Sequence, residues 1–216
     1  MNILRKKSII LLSSGLDSSV NLAVAGKKTE ILFALTFDYG QKAAKRELYY
    51  SEKLCGFFNV KHKIIKLDFY EELIKNKLIP KISAKDLENI KITQKAANQV
   101  WMHNRNGLFI NIAASFAEKE EADLIITGFN AEEAKTFPDN SKEFVKKINE
   151  SLKYSTLNKV QVKSYTQNLN KSRIYKLGQK LNLPFEFVWP CYKGGKTICG
   201  VCESCRRYKR AVAAAL

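Results

Sequence analysis

No apolar run in this 216-residue chain approaches the roughly 20 residues that a membrane-spanning helix requires. Histidine is nearly missing. His62 and His103 are the only two, and neither has a partner at metal-ligand or triad spacing. His62 reads as structural and His103 as a residue able to line a pocket. With only four prolines and ten glycines, no Pro/Gly-rich linker divides the chain, and no repeat appears. The opening "MNILRKKSII" is basic and then apolar, as at the start of a signal peptide. Its apolar part ends at Ser13 without a small-residue cleavage site, so the chain is read as cytoplasmic. Acidic residues are in deficit, 21 against 37 Lys and Arg, for a net charge of +16. The lysines are dispersed through "GKK", "IKNK", "KKINESLK" and "YKLGQK", with no aromatic-basic RNA motif. Direct nucleic-acid binding is therefore not expected, and the basic surface serves to recruit an anionic substrate.

What is present is an alternation. Strand-like runs at "SIILLSS", "EILFALTFDYG", "HKIIKLDF", "ADLIITGFN" and "KVQVKSYT" alternate with helical patterns at residues 18–25, 43–55, 106–120, 140–152 and 170–181. Such alternation predicts an α/β three-layer sandwich around a mostly parallel sheet. The length fits one domain, residues 1–188, with residues 189–216 as a cysteine-bearing tail packed on it. The polar stretch from Tyr70 to Asn98 is long for a loop and predicts short helices or a mobile segment.

The first strand ends in "LLSSGLDSSVNL". In a parallel sheet, ligands bind beyond the carboxyl ends of the strands, where helix N-termini favour anions. Ser13, Ser14, Ser18 and Ser19 offer hydroxyl donors there, and Gly15 permits close approach of the backbone. Asp17 can cap the helix or help hold magnesium. With Leu12, Leu16, Val20, Asn21 and Leu22, these residues form a candidate phosphate-binding loop. It is not a Walker motif. Asp38, at the end of the second strand, is placed either to meet a ribose or adenine edge or to cap the next helix. Arg105, at a helix start, suits a phosphate or carboxylate, or else a surface ion pair. Asn130 and Asp139 follow the fourth strand and face the same edge as Gly128.

Of five cysteines, Cys55 reads as a core residue. Cys191, Cys199, Cys202 and Cys205 form C-x7-C-x2-C-x2-C, with Gly194, Gly195 and Gly200 easing the turns. Four thiolates at this spacing favour a closed, structural zinc site, with an iron–sulfur cluster as the other ligand-compatible reading.

"SSGLDSS" resembles the "SGGxDS" loop of the N-type ATP pyrophosphatases, with Ser14 in place of the first glycine. "LTFDYGQ" followed by Glu47-Leu48, "HNRNGLFINIAA", "ITGFNAEEAKTFPDNSKEF" and "WPCYKGGKTICGVCESCRRYKRA" resemble segments of one branch, the 7-cyano-7-deazaguanine synthases of queuosine biosynthesis. The chain departs from that branch at Ala43, where a histidine is usual, and at His103, where proline is common. The resemblance implies an adenine-nucleotide α-hydrolase-like fold, zinc on the four cysteines, and ATP with Mg2+ as cosubstrate. It also implies a homodimer and ATP-dependent conversion of 7-carboxy-7-deazaguanine and ammonia to the nitrile. Asp17 and Arg105 are the implied catalytic residues, with Arg105, Asn106, Asn130 and Asp139 on the substrate. The loop alone also fits a tRNA thiolase or lysidine-type ligase. The charge and cysteines fit a zinc-bearing nucleic-acid-binding module, and the departures fit a paralogue that binds nucleotide without turnover.

Overall fold

A computed structural model describes residues 5–74 and 78–215. The first four residues of the signal-peptide-like stretch and residues 75–77 of the lysine-rich segment lie outside the described residues, as does residue 216. Five strands form one parallel sheet: β1 (Lys7–Leu11), β2 (Glu30–Asp38), β3 (His62–Lys66), β4 (Leu124–Ile126) and β5 (Gln161–Lys163), in the order β3-β2-β1-β4-β5. All five coincide with the strand-like runs.

Because side chains alternate across a strand, β1 alone feeds both faces of the sheet. Ile9 packs with α5 (Arg105–Lys119) and α6 (Lys142–Ser155), while Ile10 packs with α1 (Leu16–Lys28), α2 (Ala44–Phe57) and α7 (Lys171–Lys180). Both isoleucines are fully buried, and the three-layer sandwich follows. Cys55 lies in the second of these clusters, where burial pushes its thiol up to about 12. His62 is bonded across the β3–β2 pair to Thr36 Oγ1 at 2.8 Å, the structural role expected of it.

The polar stretch after β3 holds short helices, α3 (Tyr70–Ile74) and α4 (Ile90–Val100), with a 3-10 turn at Lys85–Glu88. Asn89 caps α4 through the amides of Lys91 and Ile92. The tail carries a helix that the cysteine spacing hid, α8 (Glu203–Ala213). It reads weakly in sequence because charged residues dominate it and the face it buries includes ion-paired Arg207 as well as Cys205 and Ala211. Among the described residues no helix is long and apolar enough to cross a membrane.

Candidate active site

The chain winds outward through β1, β2 and β3, then returns to place β4 on the other side of β1. The loops after β1 and β4 therefore diverge at the carboxyl edge, which opens a crevice. A cavity of about 540 Å³ occupies it.

The loop after β1 forms one end. Gly15 precedes α1 as its N-cap and no side chain caps that helix, so Asp17 does not act as a cap. The hydroxyls bond inward: Ser18 Oγ donates to the Gly15 carbonyl at 3.1 Å and Ser19 Oγ does so at 2.8 Å. The Ser13 amide donates to Ser18 Oγ at 3.3 Å. The loop is thus shaped before any ligand arrives. Ser14 sits at φ 53°, in the left-handed region, which accounts for the glycine usual at this position in the resembling loops. Its Oγ donates to the Ser13 carbonyl at 2.7 Å, and its own carbonyl accepts from the Trp189 amide at 2.8 Å.

Across the crevice, Gly128 presses on α1. A Cβ there would stand 2.7 Å from the Ser18 amide nitrogen. No side chain fits, and the close approach keeps the two loops in register.

Three buried charges lie at this end. Lys171, the first residue of α7, donates from Nζ to Asp17 Oδ2 and, at 2.6 Å, to Glu133 Oε1. Two carboxylates share one ammonium, and Asp17 Oδ1 is buried without a partner. Burial pushes Asp17 up to about 6; Lys171 opposes the rise and Glu133 adds to it. Burial alone would also raise Glu133, but Lys171 overrides it and holds this carboxyl below its usual value. Lys171 is itself held above the ordinary lysine range: burial disfavours its charge, and the two carboxylates outweigh burial.

The other end is aromatic. Arg105 Nη1 lies 3.4 Å from the Tyr39 hydroxyl, and its Nε donates to Asn106 Oδ1 at 3.3 Å. Burial raises Asp139, partly offset by Arg105. Glu47, in the first turn of α2, accepts from Gln41 Nε2 at 2.9 Å and is also raised by burial. Trp101 and Phe137 line this end with nearly parallel rings, 10° apart in plane and 6.4 Å between centroids.

The expected site residues divide accordingly. Leu12, Ser13, Gly15, Leu16, Asp17 and Ser18 line the cavity, as do Arg105, Asn106 and Asp139. Ser14, Ser19, Val20, Asn21 and Leu22 stand behind it, all with 0% exposure. Asn21 ties α1 to the segment after β5, donating to Thr166 Oγ1 at 2.7 Å and accepting from the Tyr165 amide at the same distance. Asp38 is not among the lining residues and does not cap α2; its Oδ1 accepts from the Gly40 amide at 3.3 Å. Asn130 is fully buried outside the lining and folds its own turn, accepting from the amides of Glu132 at 3.0 Å and Glu133 at 2.8 Å. His103 is exposed and does not line the cavity.

Lys171, Glu133 and Tyr39 were not singled out from the sequence. The signal for Lys171 was its place at a helix start after a strand, and that for Glu133 its place beyond the fourth strand between Asn130 and Asp139.

The tail closes over the crevice. Trp189 stacks on Tyr50, and Ser204 and Tyr208 reach the cavity wall. The sulfurs of Cys191, Cys199, Cys202 and Cys205 all lie within 4.8 Å of one another, so the four could hold a metal ion. The Cys199 amide donates to Cys191 Sγ at 3.3 Å, and the Cys202 amide to Cys199 Sγ at 3.4 Å. Amide donors aimed at sulfur stabilise thiolates, the form that binds metal, so the donor set fits. Gly194 and Gly200 take φ of 65° and 70° at the turns between ligands.

A family profile described as queuosine biosynthesis protein QueC matches residues 7–216. The 7-cyano-7-deazaguanine synthase of Carboxydothermus hydrogenoformans is 50% identical over 210 residues, spanning 95% of this chain and 98% of the relative. That of Bdellovibrio bacteriovorus is 48% identical, over 97% of this chain and 94% of the relative. Among solved structures, the U34-tRNA thiolase NcsA of Methanococcus maripaludis with its 4Fe–4S cluster aligns with a TM-score of 0.54 at 14% identity. That alignment covers 99% of this chain and 66% of the thiolase. A 4-thiouridine synthetase bound to RNA and ATP aligns with a TM-score of 0.53 at 16% identity, covering 97% of this chain and 52% of that one. These two show a shared fold alone, whereas sequence matches of this length and identity show a family: the chain belongs to the QueC family of queuosine biosynthesis proteins.

Proposed function

We propose that this chain converts 7-carboxy-7-deazaguanine and ammonia to 7-cyano-7-deazaguanine at the expense of ATP, the product being the one that the names of its relatives carry. The observation that carries the reading is one crevice with a hydroxyl-rich turn before a helix at one end and a half-buried arginine among aromatic rings at the other.

A carboxylate resists ammonia because its charge repels nucleophiles and oxide does not leave. Attack of a carboxylate oxygen on an ATP phosphorus breaks the P–O bond to the departing pyrophosphate or ADP, forms an acyl–phosphate mixed anhydride, and converts that oxygen into part of a leaving group. Ammonia then adds to the acyl carbon, loses a proton, and expels the phosphate ester to give an amide. A second activation, of the amide oxygen, lets the nitrogen give up its two protons while the C–O bond breaks, leaving the nitrile.

Every step rests on placement and on stabilising negative charge, without a nucleophilic side chain. Gly15 and the amides of the first α1 turn would hold the triphosphate, with Ser13 and Ser18 beside them. Asp17 Oδ1, the oxygen without a partner, is the atom the loop offers to the magnesium that accompanies ATP. Lys171 would meet the polyphosphate by loosening its hold on Asp17 or Glu133. Arg105 would bind the substrate carboxylate, with Asn106 and Asp139 beside it and the Trp101 and Phe137 rings against the flat base.

The four cysteines would hold zinc, which supplies a fixed tetrahedral tie for the tail and no chemistry at the reacting carbon. Reduced thiols favour a reducing compartment such as the cytoplasm. The family resemblance favours a homodimer, which sedimentation would test.

The deciding experiment is mass spectrometry after incubating the protein with MgATP, ammonium and 7-carboxy-7-deazaguanine. The nitrile should accumulate with ATP loss, and its absence would overturn the assignment.

A further inference from the structure

Glu132 touches both the tail and the phosphate end of the crevice. Its Oε1 accepts from Arg207 and Arg210, both on α8, the helix that begins next to Cys202 and carries Cys205. Its Oε2 accepts from the backbone N–H of Lys171 at 3.2 Å. That amide is the first of α7 and has no carbonyl of its own helix to reach; the N-cap Asn170 side chain satisfies the Arg173 amide and leaves this one to Glu132. The next residue, Glu133, receives the Lys171 ammonium. A single short turn, fixed by Asn130, therefore aims one carboxylate at the tail and one at the crevice.

The connection is dry and charged. Arg207 is 4% exposed and Lys171 5%. Arg207 is also gripped by Glu203 through Nη2 at 2.7 Å and Nε at 3.0 Å, so its guanidinium cannot follow a displaced Glu132. A carboxylate held by two guanidiniums and one amide has little freedom, and buried pairs of this kind are costly to break on one side only.

We propose that Glu132 is a positioning residue for the ATP site. It locks the docked cysteine-tail helix to the first turn of α7, and so fixes where Lys171 presents its ammonium beside Asp17 and Glu133. The inference rests on the reading that ATP binds at this end of the crevice. A residue that only glued the tail down would leave the affinity for ATP unmoved as long as the metal stayed bound. A positioning residue alters ATP binding selectively, because the Glu132 side chain bonds to α7 and α8 and to none of Trp101, Arg105 or Phe137.

The test compares wild type, Glu132→Gln and Arg210→Gln, each purified with its metal and assayed for metal content, KM for MgATP and KM for the carboxylic acid. Glu132→Gln should raise KM for ATP about tenfold at full metal content, with KM for the acid within twofold of wild type. Arg210→Gln removes one of the two tail contacts at a third-exposed position and should raise KM for ATP about threefold. If Glu132→Gln does not fold, Arg210→Gln decides alone. The role is overturned if KM for ATP stays within twofold, if both KM values rise together, or if the rise tracks lost metal. Wild-type protein that makes no nitrile and does not bind MgATP overturns the ATP reading beneath it; wild-type turnover with unmoved variants overturns only Glu132.

Discussion

The phosphate loop and the cysteine tail border the same crevice, and they are ordered by opposite means. The loop from Ser13 to Ser19 is ordered by its neighbours in sequence: hydroxyls within five residues satisfy its carbonyls and amides, and a strand and a helix clamp its ends. The tail has no strand, and its order comes from far along the chain. Trp189 reaches Ser14, and Gly194 lies against Lys42, so closely that a Cβ would come within 2.1 Å of the Lys42 carbonyl. Arg207 reaches Glu132. The loop owes its shape mainly to contacts within a few residues, whereas the order of the tail is shared among several ties to distant residues.

The largest effect expected on the loop side is chemical. Asp17→Asn should lower turnover by at least about a hundredfold while metal content stays near wild type, and full activity would remove Asp17 from the mechanism. Gly128→Ala should follow, since its methyl would collide with α1 backbone that cannot yield; a loss of about a hundredfold in MgATP affinity by calorimetry is expected. On the tail side, Cys202→Ser should release the metal and lower the melting temperature by about 5–10 °C. Retained metal in that variant would break the contrast between the two regions.

The pH profile sharpens it further. The working form of Asp17 is the carboxylate, and burial lifts its pKa to about 6, so kcat/KM should fall tenfold per unit below that pH and stay flat above it. A limb near the ordinary carboxylate value of 3.8 would show that Lys171 wins over burial. The smallest effect belongs to Ser14→Gly. Relief of its left-handed backbone is offset by a lost hydrogen bond and a freer unfolded chain, so stability should move by less than about 1 kcal/mol in thermal unfolding.

The order of elements was legible in the chain because apolar alternation and helical spacing are local properties, and all five strands lie where the runs predict. That the loop after β1 would border the crevice and that the four cysteines would gather was legible for the same reason, since both follow from short spacings. Asp38 and Asn130 were not. Each sits at a strand end or turn where a polar side chain can face the crevice or turn back on its own backbone, and both turn back. Lys171 and Glu133 escaped notice because a lone lysine or glutamate gains meaning only from what lies opposite, here Asp17, 154 residues away from Lys171 in sequence.

The sequence by itself determined a parallel sheet, a hydroxyl-rich turn after its first strand and a set of thiols able to share one ion. The tertiary structure decided which side chains share the crevice, which carboxylate goes without a full partner, and that Glu132 joins the tail helix to the start of α7. The physical reason is range. Backbone preference and periodicity act over a few residues, whereas burial and charge compensation depend on neighbours that only the folded chain brings together.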